Sequence, residues 1–281
     1  MKNILLILFL MGLSALPATS QSQILRASKT MDYNFEGCSA LQILGEKATI
    51  KITGKDQQKI ELKVTLVAKH KDQETALNDL KHIRFLSQKE GTKLILKNFY
   101  ETTNRKIESN LSIVYELIVP EALSVQLQNL YGSVTLLNLS GLKTIDVSFG
   151  RLDLQNIAGN SQVQLKYCDL TAKEVTGKFN GFMSKSDALI TNCSASVNLN
   201  LSYGNFKANL LKDCESVNIT ANRTEIELQT TSADYNLDLK TTNSTVQVFG
   251  KTANQQYRSD VKSSKNIIIT TSYCPIKINL K

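Results

Sequence analysis

YGSVTLLNLSGLKTIDVS, residues 131–148, decides the fold, because the chain then repeats it. FGRLDLQNIAGNSQVQLK follows from Phe149, YCDLTAKEVTGKFNGFMS from Tyr167, KSDALITNCSASVNLNLS from Lys185 and YGNFKANLLKDCESVNIT from Tyr203. Each copy starts 18 positions after the last. A fixed period of this size means a solenoid, in which stacked repeats bury a continuous core. Inside a copy the apolar residues alternate. They are Val134, Leu136, Leu139, Ile145 and Val147 in the first, and Leu152, Leu154, Ile157, Val163 and Leu165 in the second. In the fifth they are Phe206, Ala208, Leu211, Val217 and Ile219. Period two means β-strand with one face buried. Each coil therefore predicts two short strands separated by a turn near Gly141, Gly159 or Gly177. Equivalent residues of successive coils then stack about 4.8 Å apart in parallel ladders.

Working outward, the pattern outlasts the perfect copies. Ile226, Leu228, Tyr235, Leu237 and Leu239 continue it with two residues inserted in a turn after Ala221, and Val246 and Val248 begin another coil. YCPIKINL from Tyr273 echoes YCDLTA from Tyr167, and Pro275 fits an edge strand, where a missing N–H is tolerated. Upstream, LIVPEALSVQLQN (117–129) has the form of a half-coil. The solenoid is thus assigned to residues 121–281. Residues 21–120 are a β-rich region continuous with it, covering its first open edge. There ATIKITG from Ala48 and KIELKVTLVA from Lys59 read as strands around the polar turn 55–58. TKLILKNF and SNLSIVYELIVP are further strands. KDQETALNDLKHI (71–83) reads as the one short helix, with Ala76, Leu77 and Leu80 at helical spacing and Asp72 as its cap.

Residues 1–20 have the form of a secretory signal: Lys2, the apolar run Ile4–Leu13, Pro17, then small Ala18 and Ser20 before Gln21. The apolar run is too short to span a bilayer comfortably, no stop-transfer pattern follows, and no Cys stands ready for lipid attachment. An exported protein of the periplasm or cell surface is the expectation, with no transmembrane segment after signal removal. The formal charge of +8 is carried by scattered lysines without a recognition helix or basic run, so nucleic acid is not the expected partner. The five cysteines are odd in number and match no disulfide scaffold or metal spacing, and only Cys193 and Cys214, on successive coils, form a pair worth testing. No cofactor or metal motif occurs, and His70 and His82 lie away from the repeats.

Three outward ladders are candidate sites. Tyr131, Phe149, Tyr167, Tyr203 and later Tyr273 share the first repeat position, broken by Lys185. Stacked rings there form either a structural corner or a sugar platform. Asn180, Asn198 and Asn236 align at one position, with Asn200 and Asn218 two residues on, as hydrogen-bonded Asn stacks. Asp169 and Asp187 share a position and Asp153 lies two further on in the preceding coil, beside Arg151. Such carboxylates form an exposed charged face, bind Ca²⁺, or act as an acid–base pair on a glycoside. No catalytic residue is assigned.

The chain resembles a family of secreted bacterial β-solenoids classed as adhesins of unknown function. The resemblance rests on VPEALSVQLQNLYGSVTLLNLSG (119–141), the YG or FG starts at Tyr131, Phe149 and Tyr203, and ETALNDLKHI before the strand-rich stretch. It implies an all-β, single-stranded, right-handed parallel β-helix and no catalytic residues. Cys168 and Ser186 depart from the usual Gly. The function expected is therefore a non-enzymatic binding surface at the cell envelope, for a glycan or an envelope protein. The alternatives are a polysaccharide-acting β-helix enzyme using Asp153, Asp169 and Asp187, or a structural scaffold subunit.

Overall fold

The computed structural model describes residues 25–101, 106–259 and 261–281. The proposed signal segment lies outside these. The described chain is all-β but for one short helix. The helix α1 (Gln73–Leu80) begins where expected, with Asp72 accepting from the Thr75 N–H at 2.7 Å. It is shorter than the 71–83 reading. Ala76 is buried and Leu80 packs on the core, but Leu77 faces solvent.

The repeats form β8 (Ser124–Leu139), β9 (Lys143–Ile157), β10 (Asn160–Val175), β11 (Lys178–Ser184), β12 (Ala188–Cys193), β13 (Ser196–Leu210) and β14 (Ser216–Thr230). β8 pairs with β9 in parallel, Val125 beside Lys143 and Val134 beside Leu152. The same eighteen-residue offset joins β9 to β10, β10 to β11 and β12, and these two to most of β13. Each long strand bends midway, so its first half lies in one sheet and its second half in another. Inward side chains from both halves meet as the core. The residues read as inward in the first two copies are all buried.

The fifth copy differs. β13 pairs with β14 at an offset of twenty, Val197 beside Val217 and Phe206 beside Ile226. The two extra residues sit in the turn 211–215 rather than after Ala221. Leu211 is therefore an exposed turn residue, and Leu210 and Cys214 take the buried places.

The coils are not stacked in chain order at the far end. β14 pairs with β17 (Asn266–Ser272) and β18 (Ile276–Leu280), and these pair in turn with β15 (Asn236–Val248). The last coil thus slots between two earlier ones. β16 (Lys251–Arg258) folds back antiparallel on β15 as the outer edge. Pro275 lies at the corner between β17 and β18, inside the stack, and not on an edge strand. It is tolerated there because a corner residue owes no ladder N–H.

At the near end, β2 (Ala40–Glu46) and β3 (Ala48–Lys55) pair with the two halves of β8. β6 (Lys93–Tyr100) continues the sheet beyond β2, with β5 (Ile83–Glu90) antiparallel outside it. β7 (Asn110–Pro120) continues beyond β3, followed by β4 (Lys59–His70) and β1 (Leu25–Glu36), both antiparallel. β3 and β4 are neighbours in sequence but β7 separates them.

Close stacking has local costs. A Cβ at Gly150 would lie 1.9 Å from the Gly132 carbonyl oxygen one coil back. Lys143 is a sharper case. It occupies an inward position filled by Phe179 and Val197 in later coils and is fully buried. Its ammonium donates to the carbonyls of Gly141 and Ala158, the latter at 2.5 Å. Burial pushes its pKa from an ordinary 10.5 down to about 8. Below pH 8 the folded and unfolded states both carry the proton, and the full desolvation penalty acts. Above it the folded state gives up the proton first, so stability attributable to Lys143 rises between pH 8 and 10.5. Urea denaturation of wild type and Lys143→Met at pH 7 and pH 10 is expected to show a relative gain for wild type of up to about 3 kcal/mol. A pH-independent difference would show that the ammonium is not desolvated.

Candidate functional site

The aromatic ladder lies along the corner where each coil bends from one sheet to the other. Its residues take positive φ: Tyr131 60°, Phe149 57°, Tyr167 51°, Lys185 52°, Tyr203 57° and Tyr273 63°. Bulky side chains rarely occupy this left-handed region. Here the ladder hydrogen bonds run through the bend, as where the Lys185 N–H donates to Ser202 at 2.7 Å, and neighbouring side chains add to them. The Tyr131 and Phe149 rings stack at 5.2 Å, and Phe149 and Tyr167 at 4.9 Å with only 7° between planes.

Lys185 does not break this ladder. Its ammonium sits 4.7 Å from the Tyr167 ring centre and donates to the Tyr167 hydroxyl at 2.6 Å. That hydrogen bond raises its pKa. Arg223 continues the row, its guanidinium 5.4 Å from the Tyr203 ring and 5.9 Å from that of Tyr273. Lys47, also at positive φ, sits over Tyr100 at 5.2 Å. The sequence reading missed Lys47 and Arg223 because cations do not look like members of an aromatic row. The rings are 45–48% exposed from Tyr131 to Tyr203, yet between Tyr131 and Tyr167 their faces are turned to one another. A sugar lying flat on this stack would have to displace a neighbour.

The acidic residues do not converge as a set. Asp153 pairs with Arg151 in its own strand at 3.1 Å. Asp187 accepts from the backbone and side chain of Asn205 at 2.8 and 3.0 Å. Asp169 and Asp187 share a shallow 520 Å³ hollow with Lys207 and Glu225, but Asp153 is not among its lining residues. Among the described residues no group of three His, Cys, Asp or Glu is placed to hold a metal ion. This outer face is charged, with further pairs such as Lys207–Glu227 at 3.2 Å.

The other outer face, on the first halves of the coils, is different. One row runs Gln126, Thr144, Gln162, Asn180, Asn198, Asn218, and the next Gln128, Asp146, Gln164, Phe182, Asn200, Thr220. Eight of these twelve residues are side-chain amides and one is charged. The two-residue insertion explains why Asn218 joins Asn180 and Asn198, while Asn200 lies in the neighbouring row and Asn236 pairs elsewhere, with Asn266. Asn–Asn bonding occurs instead at Asn156→Asn138 (2.9 Å) and Asn236→Asn266 (3.2 Å), outside the expected Asn180–Asn198–Asn236 and Asn200–Asn218 stacks. On the amide face itself, among the described residues, no side-chain amide has a hydrogen-bond partner in the protein. A groove of 480 Å³ runs over this face, and Phe182 and Gly181 lie in it.

The five cysteines are buried and free. Cys193 and Cys214 are side by side as thiols, and Cys214 donates to the Ala195 carbonyl at 3.3 Å. Close thiol contact and burial push the Cys214 pKa up.

If the corner stack is structural, its loss lowers stability even though its rings are half exposed. Phe149→Ala is expected to destabilise by about 1–2 kcal/mol, from lost stacking with the strained φ retained. Phe149→Gly, which adopts that φ freely, is expected to recover about half of the loss. Thermal denaturation of the two variants checks the order; Gly below Ala would contradict it.

Several solved structures are similar to this chain. A "putative adhesin" from Bacteroides fragilis is 13% identical, with 91% of this chain and 97% of that chain covered and a TM-score of 0.49. A "putative cell adhesion protein" from Clostridium sporogenes is 11% identical, covering 91% and 100%, with a TM-score of 0.29. A "putative lipid binding protein" from Parabacteroides distasonis is 12% identical, covering 90% and 96%, with a TM-score of 0.34. No curated protein matches. The Toastrack DUF4097 family matches residues 38–279, nearly the whole described chain, and the protein belongs to that family.

Proposed function

We propose that the protein is an exported, non-catalytic β-solenoid that presents a rigid face for adhesion or binding at the cell envelope. The observation that carries this reading is the amide face. It is a continuous, exposed run of hydrogen-bonding side chains that the fold itself does not use. A structural ladder role would consume those groups, as it does at the exposed pair Asn138 and Asn156.

A right-handed coil of 18 residues is part of the same proposal. Export rests on Lys2, the Ile4–Leu13 run and the Ala18–Ser20 site. No helix among the described residues is long and apolar enough to cross a membrane. The enzyme alternative draws little support, since Asp153 and Asp187 are already engaged by Arg151 and Asn205.

Two results are expected. Expression of the full chain with fractionation and N-terminal sequencing gives a mature protein starting at Gln21 outside the cytoplasm. Incubation with a polysaccharide panel leaves chain lengths unchanged. A cytoplasmic, unprocessed chain removes the export reading, and cleavage abolished by Asp169→Asn replaces binding with catalysis.

A further inference from the structure

The geometry points to a specific ligand site: we propose that the groove around Phe182 on the amide face binds an uncharged glycan. This deepens the binding reading above and rests on it. Three features carry the inference.

The chemistry of the lining is the first. Gln162, Gln164, Asn180, Asn198 and Asn200 surround Phe182 on three adjacent coils. Each amide offers both an acceptor oxygen and two N–H donors. Sugar hydroxyls are donors and acceptors at once, so pairs of amides on neighbouring strands suit them. Because none of these amides has a partner in the protein, a ligand exchanges only with water and breaks no internal bond.

Charge is the second. The central rows carry Asp146 alone, and the border rows bring single lysines, Lys166 and Lys178. Charges of mixed sign, spread singly, give no cradle for phosphate, sulfate or a uronic-acid chain. This contrasts with the ion-paired outer face of the second sheet.

Phe182 itself is the third. Its ring is 45% exposed in the middle of the polar rows. Among the described residues it forms no ring stack and no cation–π contact, unlike the corner aromatics. A single free ring face among amides fits the apolar C–H face of a sugar. It is too little apolar surface for an acyl chain.

The test uses the mature full chain against an array of immobilised neutral polysaccharides (glucan, mannan and galactan) with hyaluronan as the acidic comparator. Binding to a neutral polysaccharide is expected. Phe182→Ala is expected to weaken it by about tenfold or more, as central aromatic anchors do. Asn200→Ala weakens it less, Asp153→Asn on the charged face leaves it unchanged, and all three variants keep the wild-type melting temperature. Neutral binding untouched by Phe182→Ala and Asn200→Ala overturns the site while leaving a binding protein. Binding to hyaluronan alone, or to nothing on the array, overturns the ligand class. Shortening of a bound polysaccharide overturns the non-catalytic reading beneath both.

Discussion

The backbone ladder between successive coils is the constraint on which the rest of the structure depends. Once Val125 pairs with Lys143 and Val134 with Leu152, every residue is aligned with its counterpart a coil away. Inward residues become a core without further instruction, and outward residues become rows. The close approach also decides which residues fit: the Gly132 carbonyl leaves no room for a Cβ at Gly150. The corner residues inherit a positive φ for the same reason, because the bend must be made without releasing the ladder. Aromatic rings and cations at that corner recover some of the strain by stacking along the row.

Ladders have ends, and the two ends of this one are closed differently. Near the N-terminus the sheets run on into antiparallel strands, with β5 outside β6 and β1 outside β4. At the far end β15 has no direct pairing with β14; the coil of β17 and β18 joins them. The last residues of the chain therefore tie β15 and β16 to the solenoid. Such late, non-local closure is the kind of step that slows folding, and it places the C-terminus inside the stack rather than at its tip.

Much of this was legible in the sequence. The period, the alternation, the helix cap at Asp72 and the corner row all follow from spacing. What spacing could not give was position along the stack. A repeat identifies a residue as part of a coil, not which coil lies beside it, so the insertion of β17 and β18 between β14 and β15 left no trace. Leu210 and Leu211 are both apolar, and alternation alone did not tell which turned inward; the two-residue insertion then misaligned the Asn rows. Lys143 was invisible because a lysine reads as surface, although its ammonium is held by two backbone carbonyls. For the aromatic row, exposure was foreseeable but ring orientation was not, and orientation separates a platform from a strut. The amide face was read as self-bonded for the converse reason: residue type shows that amides can pair, and only geometry shows that these do not.

The surface thus falls into three parts: a corner where rings and cations stack, a charged face that carries ion pairs such as Arg151–Asp153 and Lys207–Glu227, and an amide face left open. Hydroxyl-radical footprinting of the mature protein, alone and with a bound neutral polysaccharide, compares these surfaces in one measurement. Phe182 is expected to lose reactivity on binding while Tyr131, Tyr167 and Tyr203 keep theirs. Protection of the tyrosine row with Phe182 unchanged would contradict it.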